Sequence, residues 1–264
     1  MKLELFQIDA FTDKIFGGNP ACVVPLKEWL PDNILLKLAK ENAVAETAFF
    51  INREDHYHLR WFTPEIEMDL CGHATLASAH VLVSHLNKQT DVLKFETLSG
   101  TLTVSHNNGI YSLNFPSRMP QPAALPDIIR QAVNIQPSSV LKARDYVLIY
   151  DRQEDIEKIQ INRQIFDQIN LAPGGLIVTA PGRNCDFVSR FFTAQSSILE
   201  DPVTGSAHCS LIPYWSLVMN KSKFLAMQIS ERVGVLHCEN LGERVIISGQ
   251  ARTYSAGFCW IDEP

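Results

Sequence analysis

Hydrophobic and polar positions along the first half of the chain predict short strands with helices between them. Alternating or continuous apolar runs that are bounded by turn residues are typical of strands. Apolar residues recur at helical spacing after Pro31 and again, on nearly every side, over residues 73–86. The first half is therefore predicted to wrap strands around one apolar helix, with the strands at 3–11, 48–51, 58–62, 92–96, 101–105 and 110–115.

The second half repeats this plan. Helices are predicted at 127–134, 155–169 and 206–219, and Pro213 is expected to kink the last of them. Strands are predicted at 146–150, 176–180, 185–192, 225–230, 233–238 and 244–253. In each half one apolar helix opens after a glycine, which is Gly72 in the first half and Gly205 in the second.

A proline-rich segment separates the two halves. Prolines at positions 116, 120, 122 and 126 disfavour both helix and sheet, so residues 116–126 are predicted to be an interdomain linker. The length of 264 residues also fits two domains of ordinary size. We predict an N-terminal domain at 1–117 and a C-terminal domain at 118–264, with the tail near 255–264 a candidate to pack on the first domain.

The two glycine-opened helices offer a binding site for an anion. A glycine at a helix start leaves the first backbone N–H groups open to approach, and the helix dipole favours negative charge there. If the two halves face each other, both helix starts point into one cleft that suits a carboxylate. Chance and internal duplication both explain the similarity of the two helix starts.

Charge and composition exclude several classes of partner. The formal net charge is −6 and no run of Lys or Arg supplies a basic surface, which argues against nucleic acid. Glu4 and Asp9 interrupt the apolar residues at the N-terminus, and no apolar run reaches the roughly 18 residues of a membrane helix. A cytoplasmic protein without a membrane partner is expected.

The cysteines and glycines give no sign of a cofactor. None of the 6 cysteines is in C-x-x-C spacing, and most are expected to be small buried hydrophobic residues. No glycine-rich G-x-G-x-x-G string follows a strand, which argues against a dinucleotide-dependent dehydrogenase. We expect no metal, nucleotide or flavin to be required.

Four strings resemble the phenazine-biosynthesis-like (PhzF) family, whose fold is that of diaminopimelate epimerase. They are Ala45–Phe49, Phe62–Pro64 with Asp69–Thr75, Arg190–Phe192, and Glu200–His208, and their order and spacing both agree with the family. The resemblance implies an α+β fold with two similar domains. Each domain would be a curled, mostly antiparallel sheet around a central helix, with the active site in the interdomain cleft.

The resemblance also assigns site residues. It implies an acid/base glutamate at Glu46, a supporting histidine at His73, an aspartate at Asp201 and a serine at Ser206. The backbone of the two helix starts is expected to bind substrate, at Gly72 and Ala74 in the first half and at Thr204 and Gly205 in the second. One departure is Val233, which stands where a pair of small residues is expected.

The residues themselves agree with proton transfer. Such chemistry needs a group that takes and returns a proton, and a carboxylate in apolar surroundings suits it. Glu46 is flanked by Val44, Ala45, Ala48 and Phe49. His73 follows Gly72 at a helix start, which predicts a neutral imidazole. His208 adjoins Cys209, but neighbours on a helix do not face each other, so His208 is expected to be structural.

The predicted function is a cofactor-independent isomerase that moves a proton on a small carboxylate-bearing metabolite, with a homodimer possible. One alternative is a two-cysteine racemase or epimerase of the same fold, but Thr204 stands where the second thiol would be. Another is a non-catalytic relative that binds a small molecule. The substrate and product stay open.

Overall fold

The computed structural model describes residues 1–262, which form an α+β protein. The helices are α1 (Asp32–Asn42), α2 (Gly72–Ser84), α3 (Asp127–Ala132), α4 (Gln153–Lys158), α5 (Arg163–Phe166) and α6 (Gly205–Met219). The first nine strands are β1 (Lys2–Ala10), β2 (Asn19–Leu26), β3 (Glu46–Asn52), β4 (Tyr57–Phe62), β5 (Glu67–Met68), β6 (Val92–Thr97), β7 (Gly100–Asn107), β8 (Ile110–Pro116) and β9 (Gln121–Pro122). The other nine are β10 (Ser139–Lys142), β11 (Tyr146–Ile149), β12 (Leu176–Pro181), β13 (Phe187–Phe192), β14 (Glu200–Asp201), β15 (Lys223–Gln228), β16 (Gly234–Asn240), β17 (Arg244–Gly249) and β18 (Ala251–Trp260). The predicted α+β class is confirmed.

The chain divides into two compact units. The first contains Met1–Phe115 and the described residues from Ile247 onward, and the second contains Pro116–Ile246. From the sequence we expected 118–264 to form the second domain, with only the tail near 255–264 packing on the first. The return to the first unit falls earlier because β18 pairs antiparallel with β1 along its whole length, from Ala251 opposite Ala10 to Trp260 opposite Lys2.

The two units share one strand topology. In the first, β1 pairs antiparallel with β2, β2 parallel with β3, and β3 antiparallel with β4. Strand β4 then pairs antiparallel with β5 and parallel with β6, which pairs antiparallel with β7. The same sequence of parallel and antiparallel pairings runs through β10, β11, β12, β13, β14, β15 and β16 of the second unit. This repeated order favours internal duplication over chance.

A repeated arginine–glutamate pair supports the duplication at the level of side chains. In the first unit Arg60 donates from Nε and Nη2 to the two carboxylate oxygens of Glu67, both at 2.6 Å. In the second unit Arg190 makes the same pair of bonds to Glu200, both at 2.7 Å. Each arginine lies on the strand before its helix, and each glutamate on the short strand that leads into it.

The two long apolar helices are buried on nearly all sides. Helix α2 buries ten of its residues and packs against β1, β2 and β3 of the first unit. Helix α6 buries nine of its residues, among them Pro213, and packs against β16 of the second unit. A helix that is apolar all round is stable only when strands or helices cover it. Each unit therefore has a central helix, and its first turn is held by the core.

Some predicted elements differ from those observed. The helix expected over 155–169 is two short helices, α4 and α5, because the chain between them enters a bridge at Ile161 with Val133. The expected linker 116–126 contains β9, which pairs with β10. A proline at the edge of a sheet is tolerated because its missing N–H is not needed there.

All six cysteines are free, and Cys22, Cys71, Cys209 and Cys238 are buried, as expected of small hydrophobic residues. Across residues 1–262 none of the helices combines the length and the apolar character needed to cross a bilayer.

The unexpected residue at position 233 carries backbone strain. Val233 has a φ of 52°, in the left-handed region that costs a β-branched residue about 1–2 kcal/mol. We expect Val233→Gly to raise the free energy of unfolding by about 1 kcal/mol, since relief of strain exceeds the added entropy of glycine in the unfolded chain. Thermal unfolding should show a midpoint a few degrees higher. Val235→Gly, the same change in the regular strand β16, should lower it, and a fall with both variants would contradict the strain.

Candidate active site

Two predicted catalytic side chains of the first unit, those of Glu46 and His73, meet at the start of α2, where Cys71 lies beside them. Glu46 is the first residue of β3, and Cys71 and His73 flank Gly72 where α2 begins. Because α2 packs against β2 and β3, its first turn is brought to the start of these strands. The side chain of His73 is 4% exposed and that of Glu46 is 15% exposed, so both groups are largely shielded from water.

His73 lies between acidic and amide groups. Its Nε2 is 3.1 Å from Oε2 of Glu46, and its Nδ1 is 3.2 Å from Nδ2 of Asn19 and 3.6 Å from Sγ of Cys71. The Nε2–Oε2 contact has ion-pair distance but not hydrogen-bond alignment, so both atoms keep unused bonding capacity. A buried polar atom without an aligned partner is costly, and a catalytic role is one reason for which a protein retains it.

The charges around His73 contradict the expected neutral imidazole. Burial alone lowers the pKa of His73, but Cys71 and Glu46 beside it raise that pKa well above 6.5. Burial, followed by the charge of Glu46, raises the pKa of the Cys71 thiol, whereas His73 beside it lowers that pKa. Glu46 and His73 thus form a pair that can hold a proton between them.

The same residues form a group of possible metal ligands. One ligand atom each from Glu46, Cys71 and His73 lies within 4.8 Å of the other two. Carboxylate, thiolate and imidazole are all zinc ligands. No short sequence motif reveals this group, because Glu46 comes from β3 whereas Cys71 and His73 come from the start of α2.

The predicted residues of the second unit lie at the start of α6. Thr204 precedes the helix, and its hydroxyl donates to the carboxylate of Asp201. Its backbone N–H donates to Oε1 of Gln228 at 2.9 Å, and Nε2 of Gln228 donates to the carbonyl of Asp201 at 2.7 Å. Gln228 is fully buried at the end of β15. One glutamine therefore fixes the turn that carries Asp201 and Thr204.

Ser206 is held by an arginine that the sequence did not single out. Nη2 of Arg144 donates to Oγ of Ser206 at 2.9 Å and also contacts the buried carboxylate of Asp145. Asp145 in turn accepts from the backbone N–H of Gly175 at 2.8 Å. A side chain at Gly175 is excluded because its Cβ would lie 2.5 Å from Phe191. Gly175 therefore packs closely against Phe191, and its N–H group holds the carboxylate that binds Arg144.

The backbone groups predicted to bind substrate lie at the two helix starts. Gly72, Ala74, Thr204 and Gly205 are all buried. Neither residue before its helix, Cys71 or Thr204, caps the first turn with its side chain. Each helix start therefore keeps donors and a positive dipole end that suit an anion.

Sequence reasoning missed three residues of these two groups. Asn19 was not singled out, although it begins β2 and contacts His73. Arg144 and Gln228 belong to no motif, and their partners lie 62 and 24 residues away in the chain. A buried polar residue in an otherwise apolar strand is the one signal that could have indicated Asn19 and Gln228.

His208 is buried in α6, in agreement with a structural role. Its Nδ1 donates to the carbonyl of Thr204 at 2.9 Å, so in the neutral ring Nε2 is the nitrogen without a proton. Burial lowers its pKa to about 4. The imidazole therefore stays neutral in the folded protein at pH values where an exposed histidine is protonated.

This shift predicts a pH dependence of stability. The unfolded chain takes up a proton at His208 near pH 6.5, whereas the folded protein does so only near pH 4. Stability is lost as pH falls from 6.5 to 4, by about 3 kcal/mol at one site. His208→Asn keeps a donor at the Nδ1 position, so its unfolding midpoint in urea should fall less over this window. His237→Asn, a change at an exposed histidine, is the control. If the urea midpoint fell equally with pH in the parent and in both variants, the contribution of His208 would be excluded.

Comparisons with known proteins agree with this architecture. A family model described as phenazine biosynthesis-like protein (PhzC-PhzF) matches residues 8–257. An uncharacterized isomerase of Pseudomonas aeruginosa is 45% identical over 97% of this chain and 98% of its own length. The crystal structure of a PhzF-family protein from Enterococcus faecalis superposes with a TM-score of 0.94 at 39% identity, covering 99% of this chain and 100% of that one. The chain belongs to the phenazine biosynthesis-like family.

A more distant similarity concerns the fold alone. A hydroxyproline epimerase from Agrobacterium vitis, solved with trans-4-hydroxy-L-proline bound, has a TM-score of 0.65 at 10% identity, covering 100% of this chain and 94% of that one. The predicted family resemblance and the epimerase-like fold are both confirmed.

Proposed function

We propose that the protein is an isomerase that moves a proton on a small carboxylate-bearing metabolite, with Glu46 as the acid/base. The buried contact between Glu46 and His73, 3.1 Å apart with unused bonding capacity on both atoms, carries this proposal. A carboxyl group that is shielded from water and whose Oε2 has no aligned hydrogen-bond donor is suited to take and return a proton. The isomerase named among the relatives supports the reaction class.

The reaction follows from the chemistry of a single base. Glu46 takes a proton from a substrate carbon as the C–H bond breaks, and the electron pair passes into an adjacent carbonyl or conjugated system. The protonated carboxyl then returns the proton at the same or another carbon. His73 lies against the Oε2 oxygen, where it fixes the carboxyl orientation and shares its charge. No oxidant or cofactor is needed to balance these steps.

The substrate is expected to bind through its carboxylate. Each of the two helix starts, taken by itself, has N–H donors that suit an anion, and the start of α6 adds the hydroxyl of Ser206. Asp201 keeps its predicted role of orienting the substrate, with its carboxylate supported by Thr204. Arg144 adds a positive charge beside Ser206. These roles require a substrate small enough to be bound by single residues rather than by an extended surface.

Two features weigh against the alternatives. A two-thiol racemase requires a cysteine at each helix start, and Thr204 occupies the second position. A non-catalytic binding module does not need a buried carboxyl group beside an imidazole. A homodimer without nucleic-acid or membrane partners remains part of the proposal.

Detection of an isomerised product tests the reaction class. The protein is incubated with a mixture of carboxylate-bearing metabolites, and products are separated by chiral and reversed-phase chromatography with mass detection. The proposal predicts loss of one compound and gain of another with the same mass. Products whose mass differs from that of every consumed compound would contradict an isomerase, and an absence of turnover together with saturable binding would favour the binding module.

A further inference from the structure

A second chemistry is available to Glu46, Cys71 and His73. Their ligand atoms lie within 4.8 Å of one another, and they combine one carboxylate, one thiol and one imidazole. The thiol of Cys71 takes no part in the proposed proton transfer by Glu46. The same three groups are, however, a mixed oxygen, sulfur and nitrogen set of the kind that zinc prefers.

We propose that Glu46, Cys71 and His73 bind Zn²⁺ or a similar soft divalent cation, and that this metal inhibits the enzyme rather than assisting it. The inhibition depends on the proposed function, because a metal bound to the carboxylate of Glu46 would withdraw the electron density with which that carboxylate accepts a proton. Binding itself depends only on the three side chains.

The distances favour coordination. Zinc lies about 2.0–2.3 Å from such ligands, so tetrahedral ligand atoms are separated by about 3.3–3.8 Å. Nε2 of His73 is 3.1 Å from Oε2 of Glu46, and Nδ1 of His73 is 3.6 Å from Sγ of Cys71. These two contacts use opposite nitrogens of the ring, so coordination requires the imidazole to turn until one nitrogen faces both the sulfur and the oxygen. The three ligand atoms already lie within 4.8 Å of one another.

The unused bonding capacity of the cluster is an independent observation. His73 is 3% exposed, and its Nε2 has no aligned hydrogen-bond partner in the described part of the chain. Oε2 of Glu46, which faces Nε2 of His73, likewise has no aligned hydrogen-bond partner among the described residues. Coordination satisfies both atoms at once. The metal displaces the thiol proton of Cys71 and any proton held between Glu46 and His73, and these protons pass to solvent.

The ligand set also predicts selectivity and an open coordination position. A thiolate and an imidazole favour Zn²⁺, Co²⁺ or Cu²⁺ over Mg²⁺ and Ca²⁺, which prefer oxygen ligands. Three protein ligands leave a fourth position for water or for a substrate carboxylate. Because the ion is held only by coordination, a chelator that competes for it should reverse the inhibition by zinc.

Cobalt titration tests the site without any need for turnover. Co²⁺ added to the metal-free protein should produce a thiolate-to-cobalt charge-transfer band at one equivalent, and added Zn²⁺ should abolish the band by displacement. Cys71→Ser should lose the band, and His73→Gln should weaken Co²⁺ binding by about 100-fold, because loss of a ligand costs more than loss of a residue that only orients one. Cys209→Ser, the same change at a buried cysteine of α6, should keep the band.

The outcomes separate this inference from the proposed function. Absence of the band in the parent, or its survival in Cys71→Ser, would overturn the metal site whatever the activity of Glu46 variants. A band that depends on Cys71 together with unimpaired activity in Zn²⁺ would establish the binding but overturn the inhibition. If Glu46→Gln stays active while the cobalt result holds, the metal site stands and the acid/base assignment fails.

Discussion

Glu46→Gln should lower kcat by about 10²–10⁴-fold while the substrate still binds. Glutamine keeps the size and hydrogen-bonding shape of the side chain, so the contact with His73 is preserved, but an amide cannot accept the proton. The loss should appear equally in kcat and kcat/KM, because the missing interaction is used only in the transition state. Steady-state kinetics with the substrate identified by product detection measures both values.

A matched control separates this effect from the loss of a negative charge. Glu41→Gln makes the same change at an exposed position on α1 and should leave the kinetics unchanged. Parent-like turnover by Glu46→Gln would refute the assignment. If Cys71→Ala then abolished turnover, a thiol would be the base instead.

Arg190→Met should lower the free energy of unfolding by roughly 3–5 kcal/mol, because it leaves a half-buried carboxylate without its partner. The side chain of Arg190 is 16% exposed and that of Glu200 is 23% exposed. Arg190 also donates to the carbonyls of Ile156 and Ile159 at 3.1 and 3.0 Å, so the variant also loses two hydrogen bonds between β13 and the end of α4. Urea unfolding at neutral pH measures the loss.

The chain offers a control with the same chemistry at the surface. Arg183 pairs with Glu154 and Glu157 but is 54% exposed, and exposed pairs contribute at most about 1 kcal/mol. Arg183→Met should therefore change stability little. Adding Glu200→Leu to Arg190→Met should recover part of the loss, since no unpaired charge then remains. Equal losses for the two arginine variants would show that the repeated pair contributes no more than a surface contact.

Much of the fold could be predicted from hydrophobic periodicity. The helix over 73–86 and the helix over 206–219 are observed as α2 and α6, because an apolar segment of that length has few alternatives to a buried helix. The extent of β18 could not be predicted in the same way. Its central residues are exposed, so their sequence carries little burial signal, and the pairing with β1 is set by contacts across the whole chain.

The duplication of the two units was only partly visible in the sequence. The glycine-opened helices suggested it, and Arg60 and Arg190 each precede an aromatic residue on the strand before the helix. The glutamates that pair with them lie 7 and 10 residues further on, so the spacing differs between halves. Topology reveals the repeat because strand order is retained when loop lengths change.

The residues of the candidate site could likewise be predicted only in part. Glu46 and His73 were identified through motifs, and the structure places them in contact. Asn19, Arg144 and Gln228 carry no motif and act through contacts between distant segments. The charge of His73 also required the structure, since the helix start predicts a neutral ring and only the positions of Glu46 and Cys71 show that its pKa is raised.

Exchange of a substrate C–H with deuterated water tests the central claim most directly, because it follows the proton that Glu46 is proposed to move. Substrate is incubated in deuterated water with the parent protein, with Glu46→Gln and with Glu41→Gln, and mass spectrometry follows the gain of deuterium. We predict that the parent and Glu41→Gln introduce one deuterium at carbon and that Glu46→Gln introduces none above the uncatalysed rate. Incorporation by Glu46→Gln at the parent rate would contradict the account.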